Sequence, residues 1–153
     1  AALPIEKSLS QKIYQLAKEA LDIKLHSSGT YVCIEGPHFS SLAESNFYRS
    51  LKASVIGMTN VPEAYLAKEA GLSYATIGAV TDYDCWHDKP CSVEEIMQVM
   101  QKNNKNIQIF LKKSLSKLQA DLPSFQPVNG HCVMTKESAL TQEQKDLVSF
   151  LLN

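Results

Sequence analysis

The chain has 153 residues, of which 44% are hydrophobic and 20% charged, and its formal net charge is -1. This composition is typical of one globular domain that can form an apolar core. Nucleic acids and anionic membranes are bound through clustered cations, so a near-neutral chain without a Lys/Arg run favours neither, and small molecules are the expected ligands.

The cysteine pattern predicts reduced thiols. Cys33, Cys85, Cys91 and Cys132 are irregularly spaced and form no C-x-x-C pair, so a disulfide framework or a zinc ribbon is not expected. No apolar run reaches the ~18 residues of a membrane span, and no basic-then-apolar leader opens the sequence. These features predict a cytoplasmic protein.

The first half of the chain alternates helix and strand. An apolar period of three to four from residue 4 to residue 24 predicts an amphipathic helix. The segment TYVCIEG, 30–36, predicts a strand that ends at a Gly-Pro pair. Ser40 or Ser41 then caps a helix that runs to about residue 51.

The middle of the chain repeats this alternation. ASVIGM, 53–58, predicts a second strand, and a helix over 60–71 follows, with Asn60 and Glu63 as reciprocal caps and Gly71 at its end.

Two more helices are expected after a third strand. The nearly all-apolar segment LSYATIGAVTD, 72–82, predicts a strand buried on both faces. Ser92 opens a long helix to about residue 118, and 141–152 predicts a short final helix. The order predicts an α/β fold, with a central mixed or parallel sheet flanked by helices.

Each predicted strand is followed by a polar loop. These loops are GPHFSS at 36–41, MTNVPE at 58–63 and TDYDCW at 81–86. Because ligands in open α/β sheets bind beyond the carboxyl ends of the strands, the three loops are expected to face one crevice.

Asp82 and Asp84 are the first candidate ligand groups in this crevice. Their i, i+2 spacing places both carboxylates on one face of an extended segment. An aminopurine offers such a pair an amine that donates and a ring N7 that accepts, so one acid accepts while the other, when protonated, donates to the departing base. The alternative is a solvated acidic turn.

Four further residues of the loops have two interpretations each. Phe39 either stacks on a flat heterocycle or belongs to the core. Met58 either faces a sugar or ends a buried strand. Thr59 either offers its hydroxyl to an anion or only shapes a turn, and Trp86 is interpreted as a packing anchor rather than a ligand contact.

The sequence predicts no metal and no bound cofactor. The four histidines have no metal-ligand spacing with one another or with the cysteines. Neither G-x-G-x-x-G nor a Walker-type phosphate loop is present among the dispersed glycines.

Three segments carry a resemblance to a known family: GTYVCIEGPHFSSLAES, VIGMTNVPEAYLAKEAGLSYATI and TDYDCW. Together they resemble the C-terminal half of the 5'-methylthioadenosine phosphorylases, in the trimeric purine nucleoside phosphorylase family. The resemblance covers 1–118, while 119–153 is a poorly matching tail. It implies phosphate attack on C1' of 5'-methylthioadenosine, giving adenine and 5-methylthioribose 1-phosphate, with inorganic phosphate as co-substrate.

The resemblance also implies a role for each site residue. Phe39 stacks on the purine, Met58 packs on the ribose, and Thr59 contributes to the phosphate and ribose region. Asp82 and Asp84 contact the Hoogsteen edge of adenine, with Asp82 as the donor to N7. The wall around the methylthio group consists of three apolar residues at helical spacing, Val93, Ile96 and Met97.

Base selectivity follows from the same resemblance. The 6-oxopurine phosphorylases of this family carry a glutamate where Ser40 stands and an asparagine where the two acids stand. A carboxylate beside O6 would place acceptor against acceptor, which costs about 1 to 3 kcal/mol. Adenine nucleosides are therefore the expected substrates, and a 6-oxopurine phosphorylase is the weaker alternative.

In this family an N-terminal half carries the glycine-rich turn and an arginine-histidine segment that hold most of the phosphate, and the 153 residues contain neither. The chain alone is therefore expected to be inactive and to need that half as a partner, in a homotrimer by resemblance. The alternative is a noncatalytic fragment that binds adenine nucleosides or only folds and associates.

Overall fold

A computed structural model describes residues 3–87, 91–120 and 133–152. The chain is an α/β protein, as predicted from the sequence. A 3-10 turn at Glu137–Ala139 precedes the last helix. The helices and strands in chain order are α1 (Lys7–Ala20), β1 (Tyr31–Cys33), α2 (Leu42–Ser50), β2 (Val55–Gly57), α3 (Asn60–Glu69), α4 (Val93–Ala120) and α5 (Gln142–Leu152).

The two strands pair in parallel, as expected for strands connected through a helix. Tyr31 is in register with Val55 and Cys33 with Gly57. One more hydrogen bond, from the backbone N–H of Ile34 to the Gly57 carbonyl at 2.9 Å, continues the pairing past β1. Parallel pairing brings the loop after β1 and the loop after β2 to the same edge of the sheet.

The predicted third strand is wrong for the described residues. The segment from Leu72 to Val80 has no regular secondary structure, and no described strand pairs with it. Its apolar residues are not buried on both faces either, since Ile77 is 48% and Val80 58% exposed. A strand needs a neighbour for its backbone groups, and hydropathy alone does not supply one.

The start of α3 also differs from the prediction. Asn60 and Glu63 do not cap the helix, because Thr59 holds the cap position without a side-chain hydrogen bond. Instead the Asn60 amide oxygen accepts from Thr76 Oγ1 at 2.5 Å, and Glu63 accepts from the Tyr74 hydroxyl at 3.1 Å. Both side chains therefore connect α3 to the 72–80 segment.

The principal core of the described residues lies between α1 and α4. Leu16 and Ala20 of α1 pack against Phe110 of α4, and all three are buried. Along this contact Lys113 Nζ donates to the Ala20 carbonyl at 3.1 Å. None of the described helices is long and apolar enough to cross a membrane.

The predicted serine caps of α2 and α4 are confirmed. Ser41 and Glu44 form a reciprocal capping box at the start of α2. Ser92 and Glu95 do the same for α4, with bonds of 2.9 and 3.2 Å. A backbone N–H of each serine bonds to its glutamate and holds the pKa of both carboxyls below the ordinary value.

Acidification is expected to weaken both caps. A carboxyl whose pKa is lowered by folding stabilises the fold above its unfolded pKa, and this contribution is lost as the pH falls through the folded pKa. The melting temperature of the Glu44→Gln/Glu95→Gln variant should therefore fall less than that of the wild type between about pH 5 and pH 3. Thermal melts by circular dichroism measure this difference.

The matched control for that experiment is Glu143→Gln, which removes an exposed carboxylate from the first turn of α5. We expect it to follow the wild-type pH profile. Parallel acid profiles for the wild type and the doubly substituted protein would show that the capping carboxylates contribute no pH-dependent stability.

Candidate active site

The loops after β1 and β2 contact each other at the edge of the sheet. The backbone N–H of Val61 donates to Cys33 Sγ at 3.3 Å. Gly36 has a φ of 73°, and a Cβ placed on it would lie 2.6 Å from Met58 Sδ. The Met58 side chain therefore lies against the Gly-Pro turn, and the two predicted site loops are in contact.

Gly36→Ala is expected to destabilise the protein and displace Met58. The left-handed backbone costs an alanine roughly 1–2 kcal/mol, and the new methyl group would lie 2.6 Å from the Met58 sulfur, which must move. Gly78→Ala is the control, because a Cβ there meets no atom within 4 Å. Urea unfolding should place the Gly36 variant at least about 1 kcal/mol below the control. Equal stability would show that this turn tolerates a side chain.

The third loop joins the first. Cys85 Sγ donates to the Ser40 carbonyl at 3.3 Å. The Arg49 guanidinium lies over the Trp86 ring, 4.3 Å from its centroid. These contacts place the acid-bearing segment beside the GPHFSS loop and α2. The GPHFSS loop therefore contacts both of the other loops that were predicted to form one crevice with it.

The two acids occupy different surroundings within this segment. Asp82 is exposed and accepts from Thr81 Oγ1 at 2.5 Å. Asp84 is half-buried, and its carboxylate accepts from the Cys85 backbone N–H at 2.9 Å. The backbone N–H of His87 donates to the Asp84 carbonyl at 3.1 Å and closes a turn.

The acid-bearing segment is also held from α4. Asn103 Nδ2 donates to the carbonyl oxygen of Val80 at 2.9 Å. The residues on both sides of the acids are therefore attached to other elements. Val80 is hydrogen-bonded to α4. Cys85 is hydrogen-bonded to Ser40, the residue before the cap of α2, and Trp86 contacts Arg49 of α2. Asp82 and Asp84 lie between these two attachments.

A cavity of about 310 Å³ lies next to the end of β1. Ser40 lines it, and the Ser40 hydroxyl is buried without a hydrogen-bond partner among the described residues. A buried hydroxyl without a partner is destabilising unless a ligand or water completes its bonding. The other lining residues are Cys33, Ile34, Glu35, Gly36, His38, Glu44 and Tyr48.

Each apolar site residue is exposed or half-buried. Phe39 is 86% exposed, so the alternative that it is a core aromatic is wrong. Met58 is half-buried and Thr59 exposed at the start of α3. In the first turns of α4, Val93 and Met97 are exposed and Ile96 is half-buried.

Three residues of this arrangement were missed by sequence reasoning: Arg49, Cys85 and Asn103. Their partners lie 23 to 45 positions away, and no local spacing signals such a contact. The interpretation of Trp86 as a packing anchor agrees with its position between Arg49 and the rings of Tyr83 and His87. Within the described ranges, no group of three or more His, Cys, Asp or Glu residues could hold a metal ion.

Comparison with known proteins identifies the class. The phosphorylase superfamily model matches residues 1–116, and the chain belongs to this superfamily. Within it, the chain is 55% identical over 104 residues to the S-methyl-5'-thioadenosine phosphorylase of Thermosynechococcus vestitus, covering 67% of this chain and 36% of the relative. The corresponding protein of Geobacter sulfurreducens is 37% identical over 153 residues, covering 97% of this chain and 53% of the relative.

Solved structures agree with this likeness. A methylthioadenosine phosphorylase from an antarctic soil metagenomic library has a TM-score of 0.88 and 36% identity, over 99% of this chain and 55% of that one. The methylthioadenosine phosphorylase of Schistosoma mansoni in complex with adenine has a TM-score of 0.68 and 31% identity, over 78% and 48%. The resemblance seen in the sequence is confirmed, and the chain spans about half the length of the curated relatives it matches.

Proposed function

We propose that the chain is the base-binding and 5'-group-binding half of an enzyme that cleaves 5'-methylthioadenosine with phosphate. A phosphate oxygen forms a bond to C1', the C1'–N9 bond breaks, and its electron pair moves into the purine. The products are adenine and 5-methylthioribose 1-phosphate. The names of the relatives at 37% and 55% identity support this reaction.

Asp82 is proposed to complete the departure of the base. Its protonated carboxyl donates to N7 as negative charge develops on the purine, which makes the base a better leaving group. The Asp84 carboxylate accepts from the 6-amino group, and Phe39 stacks on the ring. Phe39 is exposed, so its ring is accessible to a base.

The remaining site residues are assigned to the sugar and its substituent. Met58 packs on the ribose, and Thr59, with its hydroxyl free of any capping bond, contributes to the ribose and phosphate region. Val93, Ile96 and Met97 form the wall around the methylthio group. Their exposed or half-buried side chains lie on consecutive turns of α4.

The observation that carries the proposal is the contact between the first and third loops. The Cys85–Ser40 hydrogen bond of 3.3 Å brings the acids to the loop that holds Phe39 and the unpartnered Ser40 hydroxyl. A purine offers donors and acceptors around its edge and a flat face for the ring. These groups would meet the two acids, the Ser40 hydroxyl and the Phe39 ring.

The proposal includes a polypeptide partner and a location. The Leu72–Val80 segment is apolar, and from 75 to 80 it makes no backbone–backbone hydrogen bond to described residues. A neighbouring strand would provide hydrogen-bond partners for the backbone of this segment. We assign that strand to the N-terminal half of the phosphorylase domain, which also supplies the phosphate site. We propose a trimeric, cytoplasmic assembly without nucleic acid, membrane, metal or bound cofactor.

A noncatalytic chain that only binds adenine nucleosides is the second candidate. The exposure of Asp82 favours it, because general acids of enzymes ordinarily act in sites from which water is excluded. The two candidates differ in their response to phosphate. In the presence of the N-terminal half, binding of methylthioadenosine that strengthens with phosphate supports the enzyme, while binding that is unchanged by phosphate supports the noncatalytic chain.

Isothermal titration calorimetry tests the base preference in either case. Adenine should bind the chain about 5- to 150-fold more tightly than hypoxanthine, since O6 beside a carboxylate is an unmatched acceptor pair. Equal affinity for the two bases would remove the acids from base recognition and favour the 6-oxopurine alternative.

A further inference from the structure

We propose that Arg49 and Trp86 form a latch that positions the two acids for the base. The latch is the contact between the Arg49 guanidinium, in the last turn of α2, and the face of the Trp86 indole, at 4.3 Å. It rests on the proposed function, because positioning matters only if the acids bind a purine. Neither residue is proposed to touch the ligand.

The latch acts on the acids through a short turn. Trp86 lies two residues after Asp84, inside the turn closed by the His87 N–H and the Asp84 carbonyl. Tyr83, between the two acids, meets the Trp86 ring edge-on at 5.8 Å and stacks on His87 at 4.7 Å. Fixing the indole therefore limits the movement of both acids.

A second contact attaches the same turn at the other end of α2. Cys85 bonds to the Ser40 carbonyl, so neighbouring residues of one turn are attached before the first residue of α2 and in its last turn. A single attachment would leave the turn free to pivot. Two attachments give it a fixed orientation relative to the loop that carries Phe39.

An ordinary structural role for Arg49 predicts a different pattern. A cation in the last turn of a helix also interacts favourably with the helix dipole, and Arg49 is in that position. Lysine would preserve this effect, but its ammonium does not stack in a plane on an indole. Arg49→Lys should therefore lie between the wild type and Arg49→Ala if the latch is the relevant contact, because lysine keeps the cation but not the planar stacking, and should match the wild type if the dipole is.

The contact itself is tested by fluorescence, because Trp86 is the only tryptophan of the chain. Arg49→Ala and Arg49→Lys should raise the acrylamide quenching constant of the ligand-free chain by uncovering one face of the indole. Lys105→Ala, which removes an exposed cation from α4, should leave quenching as in the wild type. Unchanged quenching in both Arg49 variants would overturn the latch.

The positioning role is tested by adenine affinity. Loss of an exposed cation–π contact should weaken adenine binding about two- to fivefold, and Lys105→Ala should not. In a Trp86→Leu background the Arg49→Ala change should have no further effect, since the latch is already broken. Independent, additive losses, or increased quenching with unchanged adenine affinity, would overturn the positioning role.

The two hypotheses can fail separately. A wild-type chain that binds no adenine contradicts the proposed function, and the positioning role falls with it, while the quenching result still decides whether the contact exists. A wild-type chain that binds adenine with the expected base preference, together with an Arg49→Ala variant of equal affinity, contradicts the latch alone.

Discussion

Mixed with the separately produced N-terminal half of the Geobacter sulfurreducens relative, the chain is expected to release adenine from 5'-methylthioadenosine only when phosphate is present. Either half alone should be at least about 1,000-fold slower. The reason is that oriented phosphate supplies both the nucleophile at close range and the charge that stabilises a cationic ribosyl transition state. Release of adenine is followed by chromatography.

A single fused chain separates poor assembly from a wrong function. The N-terminal half joined to residue 1 of this chain removes the need for two polypeptides to find each other. Phosphate-dependent release by the fusion, but not by the mixture, would identify assembly as the obstacle. A folded fusion with no phosphate-dependent release would contradict the enzymatic proposal.

Replacing Asp82 with asparagine is the second change with a large expected effect. In the reconstituted protein, kcat/KM for methylthioadenosine should fall about 100-fold or more, because an amide cannot transfer a proton to N7. The preference for adenine over hypoxanthine nucleosides should shrink at the same time, since an amide on the Hoogsteen edge can donate to O6 as well as to N7.

Two further variants distinguish loss of proton transfer from loss of base binding and from a general effect of removing a carboxylate. Asp84→Asn should affect base preference and KM more than kcat, because the Asp84 carboxylate is assigned to binding the amine rather than to proton transfer. Asp22→Asn makes the same change at an exposed position after α1 and should leave the kinetics unchanged. Equal kcat for the wild type and Asp82→Asn would remove Asp82 from the chemical step.

Features that depend on adjacent residues were predictable from the sequence. A serine cap was expected at Ser40 or Ser41 and at Ser92, and Ser41 and Ser92 hold these positions. Gly71 was expected to end a helix, and it adopts a φ of 70° just after α3. These predictions hold because their partners are a few residues apart.

Asn60 and Glu63 show where the same reasoning fails. Their spacing also fits a capping box, but Val61 between them has extended backbone angles, φ -121° and ψ 130°. A residue before proline is biased towards this conformation, and Pro62 was visible in the sequence. The Asn60 and Glu63 side chains are hydrogen-bonded to the 72–80 segment instead.

The third strand failed for a different reason. An apolar run predicts that a segment is suited to burial, but pairing depends on a neighbour that hydropathy does not identify. The same limit applies to the site. The three loops were placed together correctly, whereas the Arg49–Trp86 and Cys85–Ser40 contacts join residues 37 and 45 positions apart, so no local pattern predicts them.

A crystal structure with bound adenine tests the central claim most directly. The proposed function predicts the base against the Phe39 ring, with the Asp82 and Asp84 carboxyl groups within hydrogen-bond distance of N7 and the 6-amino group. Adenine bound elsewhere, with both acids in contact only with water, would contradict it.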